Sequence, residues 1–177
     1  MGNGVLFVVE MESILKGWTF LSLDAQGKSG GLLLGLKSRF FHLLNAWGVG
    51  SGLCASLFSL ELNLDVCLVN IYGPCIDREV FWKNLLELDC MKCEKLILGG
   101  DLNFTMGLSK IWGFRARLDS LFDFFTKILE THGLVDIIPT VMVPTWTNRR
   151  TGNENICKIL DRFLLSVDML DFEYFYH

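Results

Sequence analysis

An apolar run at residues 95–98 leads into Gly99 and Gly100 and then presents Asp101 and Asn103, two residues apart. A run of this length that ends at glycines predicts a buried strand, residues 96–98, followed by a polar loop. In extended chain, positions i and i+2 point to the same face, so Asp101 and Asn103 are predicted to address one substrate atom. The glycines would let a bulky anion approach the backbone. This favours a phosphate site served by a divalent cation, against the alternative of ordinary turn residues.

The composition limits the class of protein. The 177 residues are 51% hydrophobic, which suits one globular domain with a sizeable core. The formal net charge of −4 disfavours binding of nucleic acid through an overall basic charge, so any such binding must be local. No apolar stretch is long enough to span a bilayer and no secretion signal is present, which predicts an intracellular protein of the nucleus or cytoplasm. The six cysteines form no spaced disulfide framework, and Cys90 and Cys93 have zinc-ligand spacing without a second Cys or His pair, so free thiols are predicted.

The hydrophobic pattern places most strands before the helices. Strands are predicted over residues 5–9, 17–24 and 32–36, followed by a hairpin of residues 54–62 and 65–72 that turns at Asn63. Helical spacing predicts helices over residues 77–92 and 118–131, the second of which ends at Gly133. Two late strands are predicted, around residues 145–147 and over 157–165. Strands interspersed with two main helices indicate an α+β fold.

Polar groups also follow or interrupt three other predicted strands. Tyr72 ends the strand that contains Asn70, and a turn follows it. Asp161 lies inside an otherwise apolar strand, where a carboxylate is costly unless it is paired or ligated. The segment 145–150 joins a hydroxyl, Trp146 and two arginines. The alternatives are a rim tyrosine, an internal ion pair and a solvated turn, with Trp146 either stacking on a base or lying in the core.

In order and content these segments resemble the endonuclease/exonuclease/phosphatase superfamily, and specifically the endonuclease domain of plant LINE-type non-LTR retrotransposons. The matching blocks are Ser29-Gly30-Gly31, Tyr72-Gly73-Pro74, Phe81-Trp82, Gly99–Asn103, Thr145–Asn148 and Leu160–Leu164. The resemblance implies an α+β fold, a four-layer αββα sandwich. It also implies that residues 1–177 are a single, incomplete domain that lacks the family's C-terminal Ser-Asp-His strand and, in one alternative, its first strand.

The resemblance implies hydrolysis of a nucleic-acid phosphodiester, usually of DNA, with Mg²⁺ or Mn²⁺ as cofactor. In that chemistry Asp101 would orient or deprotonate the attacking water, and Asn103 would help to hold the phosphate or a metal-bound water. Tyr72 would donate towards the phosphate, and Asp161 would orient a histidine that stabilises the developing charge. Glu10, at the end of the predicted first strand, is the candidate metal ligand. The candidate nucleic-acid contacts are Asn70, Thr145, Asn148, Arg149 and Arg150.

The chain departs from the family pattern at two catalytic positions, the early metal-binding glutamate and the late histidine. Glu10 is followed by Met11 where the family has threonine, and His177 is not preceded by Ser-Asp. Residues that act as a unit contribute non-additively, so these departures predict a fragment with weak or no activity. The alternative function is a non-catalytic module that binds nucleic acid or protein. A reverse transcriptase domain of a parent polyprotein is the expected partner.

Overall fold

The protein is described by a computed structural model that covers residues 3–24 and 31–170. The chain divides into two compact units, Met1–Tyr72 and Gly73–His177. Among the described residues, no helix is both long and apolar enough to cross a membrane. The expectation of a single domain over residues 1–177 stays a prediction.

Over residues 3–24 and 31–72, the first unit contains one helix and five strands. Its elements are α1 (Asn3–Ile14), β1 (Trp18–Leu23), β2 (Leu32–Lys37), β3 (Phe41–Val49), β4 (Gly52–Ser59) and β5 (Leu64–Tyr72). The strands β1 and β2 form an antiparallel pair, and β3, β4 and β5 form an antiparallel meander. The core of this unit is aliphatic, since Leu36, Ala55 and Leu57 are buried against Leu21, Leu34, Phe41 and Leu68.

The strands predicted in this unit are confirmed except the first. Asn63 turns the β4–β5 hairpin in a left-handed conformation, with φ of 53°. The predicted strand at residues 5–9 is wrong, because these residues lie in α1. An apolar run of five residues has no periodicity that separates helix from strand, and the Glu10-Met11-Glu12 segment continues it with good helix formers. The strand β3 has no counterpart in the prediction, because its residues are mostly exposed and its register shifts between Leu43 and Asn45.

The second unit contains the predicted phosphate site. Its elements are α2 (Arg78–Leu86), a 3₁₀ turn (Asp89–Lys92), β6 (Leu96–Asp101), β7 (Ile111–Trp112), α3 (Phe122–Thr131), β8 (Leu134–Asp136), β9 (Trp146–Thr147), β10 (Cys157–Lys158), β11 (Asp161–Ser166) and α4 (Val167–Leu170). In this unit β11 pairs antiparallel with both β6 and β8, and β10 pairs antiparallel with both β7 and β9.

Three aromatic rings form the centre of this unit. The Phe104 and Phe125 rings stack with centroids 3.8 Å apart, and Trp82 meets the Phe104 ring edge-on at 5.1 Å. All three side chains are buried. Phe104 directly follows Asn103, so the loop after β6 is fixed on its inner side by packing against α2 and α3.

The predicted late helices and strands match the structure in position and differ in length, whereas β7, β8 and α4 were not predicted. The helix predicted to begin at Leu118 begins at Phe122, and Gly133 follows it with φ of 58°, as a stop signal requires. The predicted strand 157–165 is divided into β10 and β11. At the division, the Thr145 hydroxyl accepts hydrogen bonds from the Leu160 and Asp161 N–H groups, which removes both from the strand ladder.

Candidate active site

Two carboxylates face each other where β6 ends and β11 begins. Asp101 and Asp161 are direct cross-strand partners in the antiparallel register, which places their side chains on one face. Partial burial raises the pKa of the Asp101 carboxyl and the charge of Asp161 raises it further, against a hydrogen bond from the Asn103 N–H. Asp161 is exposed, and the buried charge of β11 is Arg162. The sequence-based expectation of a buried Asp161 is therefore wrong.

Asn103 reaches the same site from a turn. The strand ends at Asp101, and Asn103 has φ of 54°, so the prediction that both residues share the face of one strand is wrong. The Asn103 N–H donates to Asp101 Oδ1 at 3.0 Å, which makes an Asx turn. Its side-chain Nδ2 donates to the Gly73 carbonyl oxygen at 2.6 Å, and the Cys75 thiol donates to Asn103 Oδ1 at 3.6 Å. The amide is thus oriented by two neighbours from the segment that follows β5.

Gly73 explains the glycine of the Tyr72-Gly73-Pro74 block. Its N–H donates to the Asp101 carbonyl oxygen at 2.6 Å, and a Cβ on Gly73 would lie 2.6 Å from the carbonyl oxygen of Leu102. Only glycine fits this backbone approach. Gly99 has a different role from the predicted anion approach, because a Cβ there would lie 2.6 Å from the Phe163 ring, its cross-strand partner.

A cavity of about 450 Å³ opens beside Asn103 and is named the cationic cavity, because four of its thirteen lining residues are cationic and one is anionic. Its lining residues are Cys75, Arg78, Asn103, Ile111, Arg115, Arg117, Leu118, Asp119, Ser120, Trp146, Ile156, Lys158 and Leu160. Four of these residues carry positive charge and one, Asp119, carries negative charge. The cavity therefore provides the local positive charge that the chain as a whole lacks.

The charges of the cationic cavity differ in how they are compensated. Arg78 binds Asp119 through two hydrogen bonds of 2.7 Å. Burial raises the pKa of Asp119, but the hydrogen bonds from Arg78 and the Leu121 N–H, with the charges of Arg78 and Lys158, outweigh it and hold the pKa below its ordinary value. Arg115 pairs with Glu154 at 2.8 Å. Arg117 is exposed and has no ion pair within residues 3–24 and 31–170.

The predicted nucleic-acid segment, residues 145–150, contributes Trp146 to the lining of the cationic cavity. Trp146 is 42% exposed, which contradicts the core alternative, and the Lys158 ammonium lies 5.9 Å from its ring centroid. The Asn148 side chain is occupied by the Glu154 carbonyl and by the Arg150 and Ile156 N–H groups, so it organises the loop. Both predicted arginines are exposed. Their contact with nucleic acid stays a prediction, as do those of Thr145 and Asn148.

Three predicted site residues belong to the first unit. Tyr72 ends β5 and is 42% exposed. Asn70 donates from Nδ2 to the Leu33 carbonyl oxygen at 3.1 Å, which fixes its amide. Glu10 is exposed on α1, so its predicted place at a strand end is wrong. The roles of these three residues stay predictions, and Ser29, Gly30 and His177 lie outside the described residues.

Sequence reasoning missed the residues that give the cavity its charge. Arg78, Asp119 and Lys158 come from separate elements, and no local pattern brings them together. Arg115 and Arg117 flank Ala116 and were the available signal, since two alternating cations in a loop commonly mark an anion contact.

The donor set at the strand ends fits a hard divalent cation. Mg²⁺ is usually bound through one or two carboxylates and keeps waters and phosphate oxygens as its other ligands. Asp101 and Asp161 offer two carboxylates on one face. Burial, and to a smaller extent the charge of Asp161, raises the pKa of Asp101, and a cation beside the two carboxylates would oppose both effects. Within the described residues, no group of three or more His, Cys, Asp or Glu side chains forms a closed metal cage.

Comparison with known proteins places the fold. No family model matches the sequence, and no curated protein shows a significant match. Solved structures do match. The endonuclease domain of TRAS1, a telomere-specific non-LTR retrotransposon, has a TM-score of 0.68 at 18% identity, over 89% of this chain and 71% of that chain.

Two further structures show the chemical range of the fold. The 3′ phosphatase NExo from Neisseria, bound to a product DNA hairpin, has a TM-score of 0.64 at 16% identity, over 93% of this chain and 72% of its own. A mannosyl-6-phosphatase from Bacteroides thetaiotaomicron has a TM-score of 0.57 at 12% identity, over 92% of this chain and 68% of its own. The resemblance inferred from the sequence motifs is confirmed at the level of the fold, since the chain has the mixed α+β fold of these proteins.

Proposed function

We propose that this chain binds nucleic acid and hydrolyses its phosphodiester bonds with a divalent cation, Mg²⁺ or Mn²⁺. The observation that carries the proposal is the position of Asn103, which is hydrogen-bonded to Asp101 and lines the cationic cavity. A substrate phosphate held by Asn103 would continue into a cavity lined by arginines, as a polyanion requires. A small phosphomonoester would not need that extended charge, which favours nucleic acid over the other substrates that this fold accepts.

The residues have separate roles in this proposal. Asp101 accepts a proton from the attacking water. Asn103 donates to the phosphate, and Arg117 binds a neighbouring phosphate. The donation of Tyr72 towards the phosphate is proposed from the resemblance alone. Bound Mg²⁺ would neutralise charge on the phosphate oxygens, with the carboxylates of Asp101 and Asp161 as available donors and Glu10 as the ligand predicted from the resemblance.

The expected activity is weak. The family pattern assigns Asp161 to orient a histidine that stabilises the transition-state charge. Among the residues that the structure describes, no histidine hydrogen-bonds to Asp161, and His132 ends α3. A catalytic unit that lacks one member loses most of its rate.

The test is nicking of supercoiled plasmid by the purified chain in Mg²⁺ or Mn²⁺. We expect slow nicking that requires the metal and that Asp101→Ala abolishes. Asp123→Ala is the matched control, because Asp123 is an exposed acid on α3 outside the site, and this variant should nick like the wild type. Absence of metal-dependent nicking, or equal nicking by the Asp101→Ala variant, would reject the proposal.

The cationic cavity also supports the second candidate, a module that binds nucleic acid without cleaving it. In that case Asp101→Ala would retain binding at low salt, where phosphate contacts are strongest, and no variant would nick. Loss of binding in Arg117→Ala together with absence of nicking would favour this alternative. The reverse transcriptase partner stays a prediction from the resemblance.

A further inference from the structure

Asn103 has a backbone conformation that needs support. It has φ of 54°, in the left-handed region that is unfavourable for residues with a Cβ, although asparagine tolerates it better than most. Two consecutive carbonyl groups in this turn each accept a hydrogen bond from a different guanidinium. Arg78 Nη1 donates to the Asn103 oxygen at 3.0 Å, and Arg162 Nη2 donates to the Phe104 oxygen at 2.6 Å.

Arg78 is itself held firmly. Its two terminal nitrogens each donate to one Asp119 oxygen at 2.7 Å, and Asp119 Oδ1 also accepts from the Leu121 N–H at 3.0 Å. The guanidinium carbon lies 5.7 Å from the Phe125 ring centroid. One side chain therefore ties the start of α2, the segment that precedes α3 and the Asn103 carbonyl together.

Arg162 holds the other carbonyl from within the core. It is 4% exposed, pairs with Asp136 through Nη1, and lies over the Phe104 ring with its guanidinium carbon 4.6 Å from the centroid. Its backbone belongs to β11, directly after Asp161. The strand that carries one predicted catalytic carboxylate thus also anchors the turn that carries Asn103.

We propose that Arg78 and Arg162 are positioning residues that hold Asn103 in its left-handed conformation. The proposal rests on the proposed function for its catalytic consequence, and on the hydrogen bonds alone for its structural part. Each guanidinium binds a carboxylate and a carbonyl at the same time, which requires the planar fork of arginine. Lysine keeps the charge and lacks that geometry, so an Arg-to-Lys change separates positioning from charge.

The test uses Arg78→Lys, since Arg78 retains some exposure and the change keeps the charge in the cationic cavity. We expect kcat for plasmid nicking to fall on the order of 100-fold, the cost of a misplacement of about 1 Å, with KM little changed. The ¹H–¹⁵N resonance of the Asn103 amide should shift. Lys83→Ala, which breaks an exposed ion pair on α2, is the control and should change neither quantity.

Chemical rescue gives a result that a general loss of stability cannot produce. Guanidinium ion added to the Arg78→Ala variant should raise its kcat at least about tenfold over the variant without the ion, and should return the Asn103 resonance towards its wild-type position. If the wild-type chain does not nick, the Asn103 resonance alone decides, so the two proposals fail separately. An unchanged Asn103 resonance in Arg78→Lys, or a change confined to KM, would overturn the positioning role.

Discussion

Asp136→Asn tests the buried charge arrangement that supports β11. Asp136 Oδ2 binds both Lys110 and Arg162, whose side chains are 4% and 1% exposed. Among the described residues, Asp136 is the only acidic side chain that forms an ion pair with either cation. Asparagine has nearly the same shape as aspartate, so the substitution removes the countercharge and leaves the packing in place.

The expected decrease in the free energy of unfolding follows from the two buried cations that remain without a countercharge. Removing one partner of a buried ion pair costs about 3–5 kcal/mol, because the other partner stays buried without compensation. Here two cations lose the same partner, and burial already lowers the pKa of Arg162 against the raising effect of Asp136. For a chain of this size, such a loss lowers Tm by about 6–20 °C, at 2–4 °C for each kcal/mol.

Urea unfolding followed by circular dichroism measures the decrease in the free energy of unfolding. Glu154→Gln is the matched control, because it breaks an ion pair with Arg115 in which both side chains are well exposed, and it should cost less than about 1 kcal/mol. Lys110→Met should cost less than Asp136→Asn, since it leaves Arg162 and Asp136 as a balanced pair. The reasoning is refuted if Asp136→Asn costs no more than Glu154→Gln.

Three further predictions concern the site. Asp101→Asn should stabilise the metal-free protein at pH 7. A carboxyl whose folded pKa is raised favours folding at low pH and loses that contribution as the pH rises. Urea titrations should show that the two proteins have the same free energy of unfolding below about pH 3, under the unfolded pKa of about 3.9. Gly73→Ala should cost about 1–3 kcal/mol in thermal unfolding, because the new Cβ meets the backbone of Leu102, which cannot rotate away. Arg117→Ala should reduce the slope of log K against log salt for DNA binding by about 1, and an unchanged slope would exclude Arg117 as a phosphate contact.

The sequence predicted those parts of the fold whose signals are local. Asn63 and Gly133 each adopt the left-handed conformation that their residue types favour, and the elements around them are confirmed. The failures occur where long-range contacts decide. The run at residues 5–9 is helical although its pattern does not separate helix from strand, and β3 is defined by its pairing with β4 and not by a hydrophobic pattern.

The site shows the same division. Asp101 and Asn103 were found because they follow a recognisable strand, and Asp161 because a charge in an apolar strand is conspicuous. Which charge in β11 is buried could not be inferred, since the register that turns Arg162 inward and Asp161 outward is set by pairing with β6 and β8. The cationic cavity joins residues more than seventy positions apart, and no sequence window contains it.

Like charges placed directly opposite in an antiparallel pair destabilise it, yet Asp101 and Asp161 occupy such a position with no cation paired to either side chain in the described part of the chain. The two buried cations near β11, Lys110 and Arg162, are by contrast compensated by Asp136. An uncompensated repulsion of this kind is expected at a functional site, where a ligand supplies the compensating charge.

If that ligand is Mg²⁺, it stabilises the folded chain by RT ln(1 + [L]/Kd), which is about 2.7 kcal/mol at a hundredfold excess over Kd, or about 5–11 °C in Tm. Thermal unfolding with and without Mg²⁺ should show this increase in the wild type and not in Asp101→Asn. Equal shifts in both proteins would place the metal elsewhere and separate the carboxylate pair from the cation.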